Sequence, residues 1–257
     1  MTKVYLVGAG PGDPELLTLK ARRLLTLADC ILYDNLANVD FLDFARPDAE
    51  RIYVGKKKAI HSMPQEEICA LLVERGRRGL NVVRLKGGDP YLFGRGGEEA
   101  EQLTALRIPF EIIPGVSAAL GADASAGIPL THRDAASSVS FVTAHKRHDG
   151  GADHLASRVP RTGTVVLYMG LATLRETATA LVAAGRSPTT PVAVISHATL
   201  ATQREVIADL ATIADAVEAA ALPAPALVIV GEVVDRRVVS VSALAPAAAP
   251  VRAGGAS

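Results

Sequence analysis

The sequence lacks tryptophan, and only 4% of its 257 residues are aromatic. Its two cysteines, Cys30 and Cys69, are too few for the disulfide framework of a small secreted protein, so we expect a reducing, cytoplasmic compartment. Basic and acidic residues both number 27, which makes the formal net charge zero. Because no overall positive field attracts nucleic acid or anionic lipid, we expect neither as a partner. Any anionic ligand must be bound by a local basic cluster.

Long hydrophobic runs are also missing. The apolar run nearest the N-terminus, residues 4–7, is shorter than the about 7–15 residues at the centre of a signal peptide. No segment approaches the ~18 uninterrupted apolar residues of a transmembrane helix. Since 49% of the residues are nevertheless hydrophobic, the chain can bury a full core. We expect a soluble protein that has no membrane partner.

Short apolar runs alternate with longer amphipathic stretches in the first half of the chain. This pattern predicts a mainly parallel sheet that is covered by helices on both faces. The predicted strands are residues 4–7, 30–33, 51–54, 81–85 and 110–113, and the predicted helices are residues 15–28, 38–45, 64–78 and 97–106.

The second half has a different pattern, which predicts strands over residues 138–143, 164–168, 192–195 and 226–230 and helices over residues 171–184 and 208–221. A further short strand over residues 203–207 would make this sheet mixed. We therefore predict an α/β protein with an N-terminal domain of residues 1–114 and a C-terminal domain of residues 115–243. A helix over residues 116–126 joins the two domains, and the composition of residues 244–257 predicts a disordered tail.

The first candidate ligand loop is Gly8-Ala9-Gly10-Pro11-Gly12-Asp13, directly after the first strand. A glycine-rich turn at this place in an open sheet usually approaches a ligand closely. The glycine spacing differs from the dinucleotide-binding fingerprint. In addition, Pro11 has no N–H, and Asp13 places negative charge where a phosphate would bind a helix N-terminus. The loop therefore favours a ligand without phosphate, including one that carries positive charge, and Asp13 with Pro14 predicts a helix start.

A second glycine cluster, residues 86–99, follows the strand over residues 81–85. Both loops should open at the carboxyl edge of the same sheet, where α/β proteins bind ligands. Five glycines in eleven residues weaken the backbone locally, and structure alone seldom requires so many. Asp89 or the loop amides could bind hydroxyl, amino or carboxylate groups.

Both loops resemble the motifs of the tetrapyrrole methylases, and in particular of the members that C-methylate uroporphyrinogen III. The similarity extends to about residue 234 and includes the shorter stretches Leu32-Tyr33-Asp34, Tyr53-Val54-Gly55-Lys56, Pro114-Gly115-Val116-Ser117-Ala118 and Tyr168-Met169-Gly170. The resemblance implies S-adenosylmethionine as methyl donor, S-adenosylhomocysteine as product, and uroporphyrinogen III as acceptor. Two ring carbons are methylated in turn, giving precorrin-2 for sirohaem or cobalamin. It also implies a homodimer of two-domain subunits with the active site in the cleft between the domains.

Particular residues take family roles only through this resemblance. Asp34 is the implied proton acceptor and Lys56 the implied proton donor. At position 198 this chain has alanine where the family often has glycine. The implied donor contacts are Pro11, Gly87, Gly88, Asp89, Leu92, Ser117, Ala118, Met169 and Ala198. Some family members carry a fused dehydrogenase–chelatase domain, and we expect this chain to stop at the methylated product.

The acceptor is rich in carboxylates, so a neutral protein needs a local basic lining. The candidates are Lys56-Lys57-Lys58, Lys86, Arg95, His132-Arg133 and Lys146-Arg147. Arg95, His132 and Arg133 are favoured because they lie in or beside the motifs, and arginine can bind a carboxylate through two hydrogen bonds. The histidines of residues 145–154 have no spacing typical of a closed metal site, so we expect no metal.

Two other functions remain open at this point. The chain could be a methylase of the same fold that acts on a later corrin intermediate or on a modified histidine of a protein. It could also be a non-enzymatic nucleotide-binding module, which the first loop disfavours. The long second motif, which ends in Arg95-Gly96-Gly97-Glu98-Glu99, favours uroporphyrinogen III.

Overall fold

The computed structural model describes residues 3–55, 63–144 and 159–238. The first half forms a five-stranded parallel sheet with the strand order β3-β2-β4-β1-β5. Its strands are β1 (Val4–Gly8), β2 (Cys30–Tyr33), β3 (Glu50–Tyr53), β4 (Val82–Lys86) and β5 (Phe110–Ile113), and its helices are α1 (Leu19–Leu27), α2 (Gln65–Arg77) and α3 (Gly96–Ala105), with 3-10 helices at Pro14–Leu16 and Val39–Phe44.

The second half forms a mixed five-stranded sheet with the order β6-β7-β10-β8-β9. Only the β6–β7 pair is parallel, and the other pairs are antiparallel. The elements are α4 (Ala118–Ala126), β6 (Val139–Thr143), β7 (Thr164–Tyr168), α5 (Leu174–Ala183), β8 (Pro191–Ser196), β9 (Arg204–Asp209), α6 (Ile213–Ala219) and β10 (Ala226–Val230), with 3-10 helices at Leu171–Thr173 and Glu232–Arg236.

Both sheets are buried on both faces. Neighbouring residues of one strand enter opposite cores, as Leu6 and Val7 do in β1, because side chains alternate along a strand. Helix α1 covers one face of the first sheet, whereas α2 and α3 cover the other. In the second sheet, α5 and α6 cover one face and α4 the other. The predicted fold class is confirmed, whereas the domain division at residue 114 stays a prediction.

Several predicted helices differ from the structure in extent or type. The helix predicted over residues 15–28 is interrupted, because Thr18 caps a new helix by accepting a hydrogen bond from the Ala21 N–H (3.2 Å). Asp13 and Pro14 do begin a helix, but it is the short 3-10 helix. The helix predicted over residues 38–45 is also of the 3-10 type.

The helix predicted over residues 208–221 is shorter than expected. Residues 208 and 209 belong to β9, which pairs with β8 along six residues. Helix α6 begins only at Ile213. The helix predicted over residues 171–184 is a 3-10 turn followed by α5, and the helix predicted over residues 116–126 begins at Ala118 because Ser117 caps it.

Candidate active site

Two glycine-containing loops meet at the carboxyl edge of the first sheet. Gly10 and Gly88 form an antiparallel bridge, in which the Gly88 N–H donates to the Gly10 C=O (2.7 Å) and the Gly10 N–H to the Gly88 C=O (3.2 Å). Both glycines have positive φ, 76° and 66°, a conformation that costs glycine little. The loops after β1 and β4 therefore form one continuous backbone surface.

The turn after β5 packs against the same surface. A Cβ atom on Gly8 would lie 2.5 Å from the Gly115 nitrogen and 2.7 Å from the Gly88 oxygen, so no side chain fits there. The Asp89 carboxylate accepts hydrogen bonds from the Gly115 N–H (3.2 Å) and the Tyr91 N–H (2.8 Å). Asp89 thus joins the second loop to the turn after β5.

Helix α4 begins where the loops after β1 and β4 meet the turn after β5, a place that we call the junction. The Ser117 Oγ lies 2.6 Å from the hydroxyl of Tyr168, the last residue of β7. The Ala119 N–H points to both oxygens, at 3.3 Å from Ser117 Oγ and 3.2 Å from the Tyr168 hydroxyl. Burial raises the pKa of Tyr168, so its hydroxyl stays protonated at neutral pH. The carboxyl end of β7 is in this way attached to the N-terminus of α4.

The loop after β8 reaches the first glycine loop. Thr199 Oγ1 accepts a hydrogen bond from the Asp13 N–H at 3.1 Å. Pro11 packs on α4, where a Cβ atom added to Gly121 would lie 2.5 Å from Pro11 Cγ. Ala198 lies between His197 and Thr199, which both have positive φ, so the loop bends sharply at this point.

An aromatic surface lies beside these loops. The ring centroid of Tyr168 is 4.8 Å from that of Phe93 and 6.3 Å from that of Phe141. Phe93 and Met169 have positive φ and are partly exposed, at 36% and 51%. Non-glycine residues with strained backbone tend to cluster at functional sites. Here they border an apolar surface that is open to solvent.

A carboxylate and a buried guanidinium lie at the same sheet edge. Asp34, directly after β2, accepts hydrogen bonds from Arg84 Nη2 at 2.8 Å and from the Leu36 N–H at 3.0 Å. Arg84 lies in β4, and its side chain is only 4% exposed. It also donates from Nε to Glu99 of α3 at 3.3 Å. Glu99 in turn accepts from Lys86 Nζ at 2.9 Å.

Comparison with known proteins identifies this arrangement. Residues 3–214 match the model of the family Tetrapyrrole (Corrin/Porphyrin) Methylases. The chain belongs to the tetrapyrrole methylases. The structure of uroporphyrin-III C-methyltransferase from Thermus thermophilus, complexed with S-adenosylhomocysteine, is similar at 43% identity and a TM-score of 0.77, covering 91% of this chain and 99% of that one.

Two further proteins are similar to this chain. A siroheme synthase of Acinetobacter baylyi is 50% identical over 235 residues, which are 91% of this methylase and 51% of that protein. The methylase thus spans about half the length of the curated relatives it matches. A cobalt precorrin-4 methyltransferase structure is 30% identical, with a TM-score of 0.78 and coverage of 91% of this chain and 96% of that one. The predicted family is confirmed, and a methyltransferase that uses S-adenosylmethionine is supported.

The implied donor contacts of the methylase converge on one place. Gly88 faces the start of α4, since an added Cβ atom would lie 3.4 Å from the Ala118 nitrogen. Leu92 follows Asp89 in the second loop, where its N–H donates to the Asp89 C=O at 3.4 Å. Gly87 packs on the Leu36 backbone, where an added Cβ atom would lie 2.6 Å from the Leu36 oxygen. The role of these residues in donor binding stays a prediction.

The implied basic lining is only partly brought together. Lys56, with Lys57 and Lys58, lies outside the described residues, as do Lys146 and Arg147. Lys86 is not available to a ligand, which corrects its place among the candidates, because its side chain is 5% exposed and is paired with Glu99.

Arg95 lies in the second loop and is about half exposed. Its guanidinium donates to Glu98 through Nε (2.9 Å) and Nη2 (2.6 Å), and this pairing raises the Arg95 pKa further above its usual range. Because Glu98 is also about half exposed, a substrate carboxylate could replace it. Arg95 is therefore positioned to bind an anion by exchange of partners.

His132 and Arg133 lie at a different end of the second sheet. The neighbouring Leu130 C=O accepts from the hydroxyl of Thr164, the first residue of β7 (2.8 Å). Tyr168 is four residues further along β7, about 13 Å away at a rise of ~3.3 Å per residue. His132 Nδ1 accepts from the Asp134 N–H (3.2 Å), whereas Arg133 is exposed. Contact with an acceptor carboxylate stays a prediction for both residues.

No role was predicted from the sequence for Arg84, Glu99 or Tyr168, although Glu99 and Tyr168 lie within stretches that resemble the family motifs. Two basic residues inside the otherwise apolar strand β4 were a usable signal, because a buried charge requires a partner. Among residues 3–55, 63–144 and 159–238, no group of three or more His, Cys, Asp or Glu side chains could hold a metal ion. None of the helices in these ranges is long and apolar enough to cross a membrane.

Proposed function

We propose that this chain transfers methyl groups from S-adenosylmethionine to two ring carbons of uroporphyrinogen III, giving precorrin-2 for sirohaem or cobalamin biosynthesis. The observation that best supports this proposal is the 43% identity, over nearly the whole of both chains, to a uroporphyrin-III C-methyltransferase that binds S-adenosylhomocysteine. We infer that the same ligand, and therefore the methyl donor, binds this chain where the loops meet.

The geometry of the junction supports binding of the donor there. The loops after β1, β4, β5 and β8 meet at the N-terminus of α4. Pro11 cannot donate a hydrogen bond, and Asp13 uses its carboxylate to cap the first 3-10 helix by accepting from the Glu15 N–H at 2.9 Å. A phosphate would find negative charge at this position, whereas a sulfonium cation would not be repelled.

We propose that Asp34 takes the proton that the methylated ring must lose. Bound S-adenosylmethionine supplies a methyl group that an electron-rich pyrrole carbon can displace. Asp34 fits the role of base because it is partly exposed, at 22%, and is held by Arg84 and the Leu36 N–H. A positioned carboxylate needs no rearrangement before it accepts a proton. Lys56, in the role of proton donor, is part of the same proposal.

The acceptor has an apolar ring system with a carboxylate rim, and the residues beside the junction suit both features. Phe93 and Met169 offer partly exposed apolar surface, and Phe93 packs on the ring of Tyr168. Arg95 can exchange Glu98 for a substrate carboxylate. We propose that Arg95 binds acceptor carboxylates beside the junction and that His132 and Arg133 bind acceptor carboxylates near the start of β7.

We further propose that the enzyme acts as a homodimer in the cytoplasm and without nucleic-acid or membrane partners. The dimer rests on the family resemblance. The compartment is supported by Cys30 and Cys69, which are both free and buried.

The alternative acceptor is a later corrin intermediate, because a cobalt precorrin-4 methyltransferase has a similar fold at 30% identity. The test measures release of S-adenosylhomocysteine when the protein is mixed anaerobically with S-adenosylmethionine and one acceptor at a time. We expect turnover with uroporphyrinogen III. Turnover with cobalt precorrin-4 alone would refute the proposed acceptor, and release with neither acceptor would refute methyl transfer to both of these tetrapyrroles.

A further inference from the structure

Four charged side chains form a connected buried group behind the junction. Glu99 Oε1 accepts hydrogen bonds from Lys86 Nζ (2.9 Å), Arg84 Nε (3.3 Å) and Gln65 Nε2 (3.0 Å). Arg84 continues the group to Asp34 through Nη2 (2.8 Å). The side chains of Glu99, Arg84 and Lys86 are 0%, 4% and 5% exposed, whereas that of Asp34 is 22% exposed.

Such a group often stabilises a core less well than apolar side chains of similar volume do. Removing charges from water costs several kcal/mol per ion, and apolar replacements of a buried ion pair are often as stable or more so. The second carboxylate oxygen of Glu99, Oε2, has no hydrogen-bond partner among the residues that the structure describes, which adds to the cost. Stability alone therefore gives no reason for this group.

The hydrogen bonds of Arg84 connect this group to the sheet edge through Asp34. Arg84 donates through Nη1 to the Leu85 C=O (2.9 Å) and through Nε to Glu99, so two edges of the planar guanidinium are fixed. The remaining direction, through Nη2, leads to Asp34. The buried charges balance, since Arg84 and Lys86 are opposed by Glu99 and Asp34. Only Asp34 extends to the solvent-exposed edge where the loops meet.

We propose that Glu99 is a positioning residue, which orients the Asp34 carboxylate for proton transfer by fixing the Arg84 guanidinium. Lys86 holds Glu99 in place through its own hydrogen bond to Glu99 Oε1. The proposal rests on the proposed role of Asp34 as the base. Glu99 itself is fully buried, and its link to Asp34 runs through Arg84.

The test is a double-mutant cycle of Glu99→Gln and Asp34→Asn, with kcat, KM for uroporphyrinogen III and Kd for S-adenosylhomocysteine measured for each variant. Glutamine keeps the volume of Glu99 but removes its charge. A misplaced catalytic group costs up to about 100-fold, so we expect Glu99→Gln to lower kcat by about 10–100-fold. For Glu99→Gln, KM and Kd should stay within about twofold, because the Glu99 side chain is fully buried.

The decisive comparison is between Asp34→Asn and the double variant that also carries Glu99→Gln. If Glu99 acts through Asp34, adding Glu99→Gln to Asp34→Asn should lower kcat by less than about threefold, since residues that act as a unit are non-additive. The matched control is Glu101→Gln, an exposed glutamate on the same helix, which should keep the wild-type kcat.

Two results would overturn the inference in distinguishable ways. An equal loss from Glu99→Gln in both backgrounds would show that Glu99 acts independently of Asp34. A normal kcat for Asp34→Asn alone would refute the base assignment and, with it, the positioning role. If Glu99→Gln does not fold, Lys86→Met with Glu99→Gln removes one charge of each sign, and the same cycle is run with that pair.

Discussion

The hydroxyl of Tyr168 lies 2.6 Å from Ser117 Oγ and joins the end of β7 to the first turn of α4. These two residues are 51 positions apart in the sequence. Ser117 and its neighbour Ala118 are implied donor contacts, so we expect Tyr168 to support the proposed donor site through Ser117. The ring of Tyr168 also packs on Phe93. One side chain thus contacts both Ser117 and the aromatic surface.

Replacing Tyr168 by phenylalanine should weaken donor binding while keeping the aromatic packing. A neutral hydrogen bond contributes about 0.5–1.5 kcal/mol, so we expect Kd for S-adenosylhomocysteine to rise about 2–10-fold. Isothermal titration calorimetry measures this value directly. An unchanged Kd would show that the hydroxyl does not support the donor site.

Asp34→Asn should slow turnover and leave donor binding intact. Asparagine keeps the size of Asp34 and can still accept from Arg84, but it cannot take a proton at neutral pH. Loss of a general base typically costs about 10²–10⁴-fold, and the fall should appear in kcat. Steady-state kinetics with uroporphyrinogen III provide the measurement. If the variant lost thermal stability together with activity, Asp34 would instead have a structural role.

Arg95→Ala and Arg133→Ala should each raise KM for the acceptor. A charged hydrogen bond contributes about 1.5–3 kcal/mol, which corresponds to an increase of about 10–100-fold. Kd for S-adenosylhomocysteine should stay constant, because both residues are outside the donor contacts. The matched control is Arg77→Ala, an exposed arginine on α2, for which KM should not change. Equal weakening of both ligands would show that the arginine supports the fold or the donor loop.

Gly8→Ala should abolish donor binding, since an added Cβ atom would lie 2.5 Å from the Gly115 nitrogen and force the turn after β5 away from the second loop. Gly97 is the control, because an added Cβ atom there meets nothing within 4 Å. Alanine is a better helix former than glycine, so Gly97→Ala should leave Tm unchanged or raise it slightly. Thermal unfolding with and without S-adenosylhomocysteine distinguishes the two variants. A normal ligand-induced increase in Tm for Gly8→Ala would contradict the close approach.

The Cys30 thiol predicts a loss of stability in alkaline solution. Burial, followed by the charge of Glu50, raises the pKa of Cys30 from 9.0 to about 12. Above pH 9 the unfolded chain loses the thiol proton but the folded protein keeps it, so the free energy of unfolding should fall as pH rises from 9 towards 12. Urea unfolding at pH 8, 9 and 10 measures the trend. Cys30→Ala should show a shallower fall, and an identical fall in both proteins would contradict the raised pKa.

Local sequence patterns predicted most of the strands, because buried strands such as β1 and β10 are continuous apolar runs bounded by glycine or proline. The patterns failed where a short segment was compatible with either a helix or a strand. Residues 208 and 209 have small side chains compatible with a helix, yet their pairing with β8 makes them part of β9. The 3-10 form of residues 39–44, where Phe41 is buried in the core around α1, was likewise not visible in the local pattern.

The site could be predicted where motifs are continuous in sequence. Gly87, Gly88 and Asp89 are adjacent, and their place after a buried strand indicated the ligand edge. The link from Asp34 through Arg84 to Glu99 joins three elements and could not be derived from spacing. Lys86 shows the same limit, since its pairing with a buried glutamate is visible only in three dimensions.

The measurement that tests the central claim most directly is the mass of the tetrapyrrole product. The protein is incubated anaerobically with uroporphyrinogen III and S-adenosylmethionine that carries a deuterated methyl group. We predict a product that has gained two labelled methyl groups, through an intermediate that has gained one. A tetrapyrrole of unchanged mass, with active Thermus thermophilus uroporphyrin-III C-methyltransferase as the positive control, would contradict it.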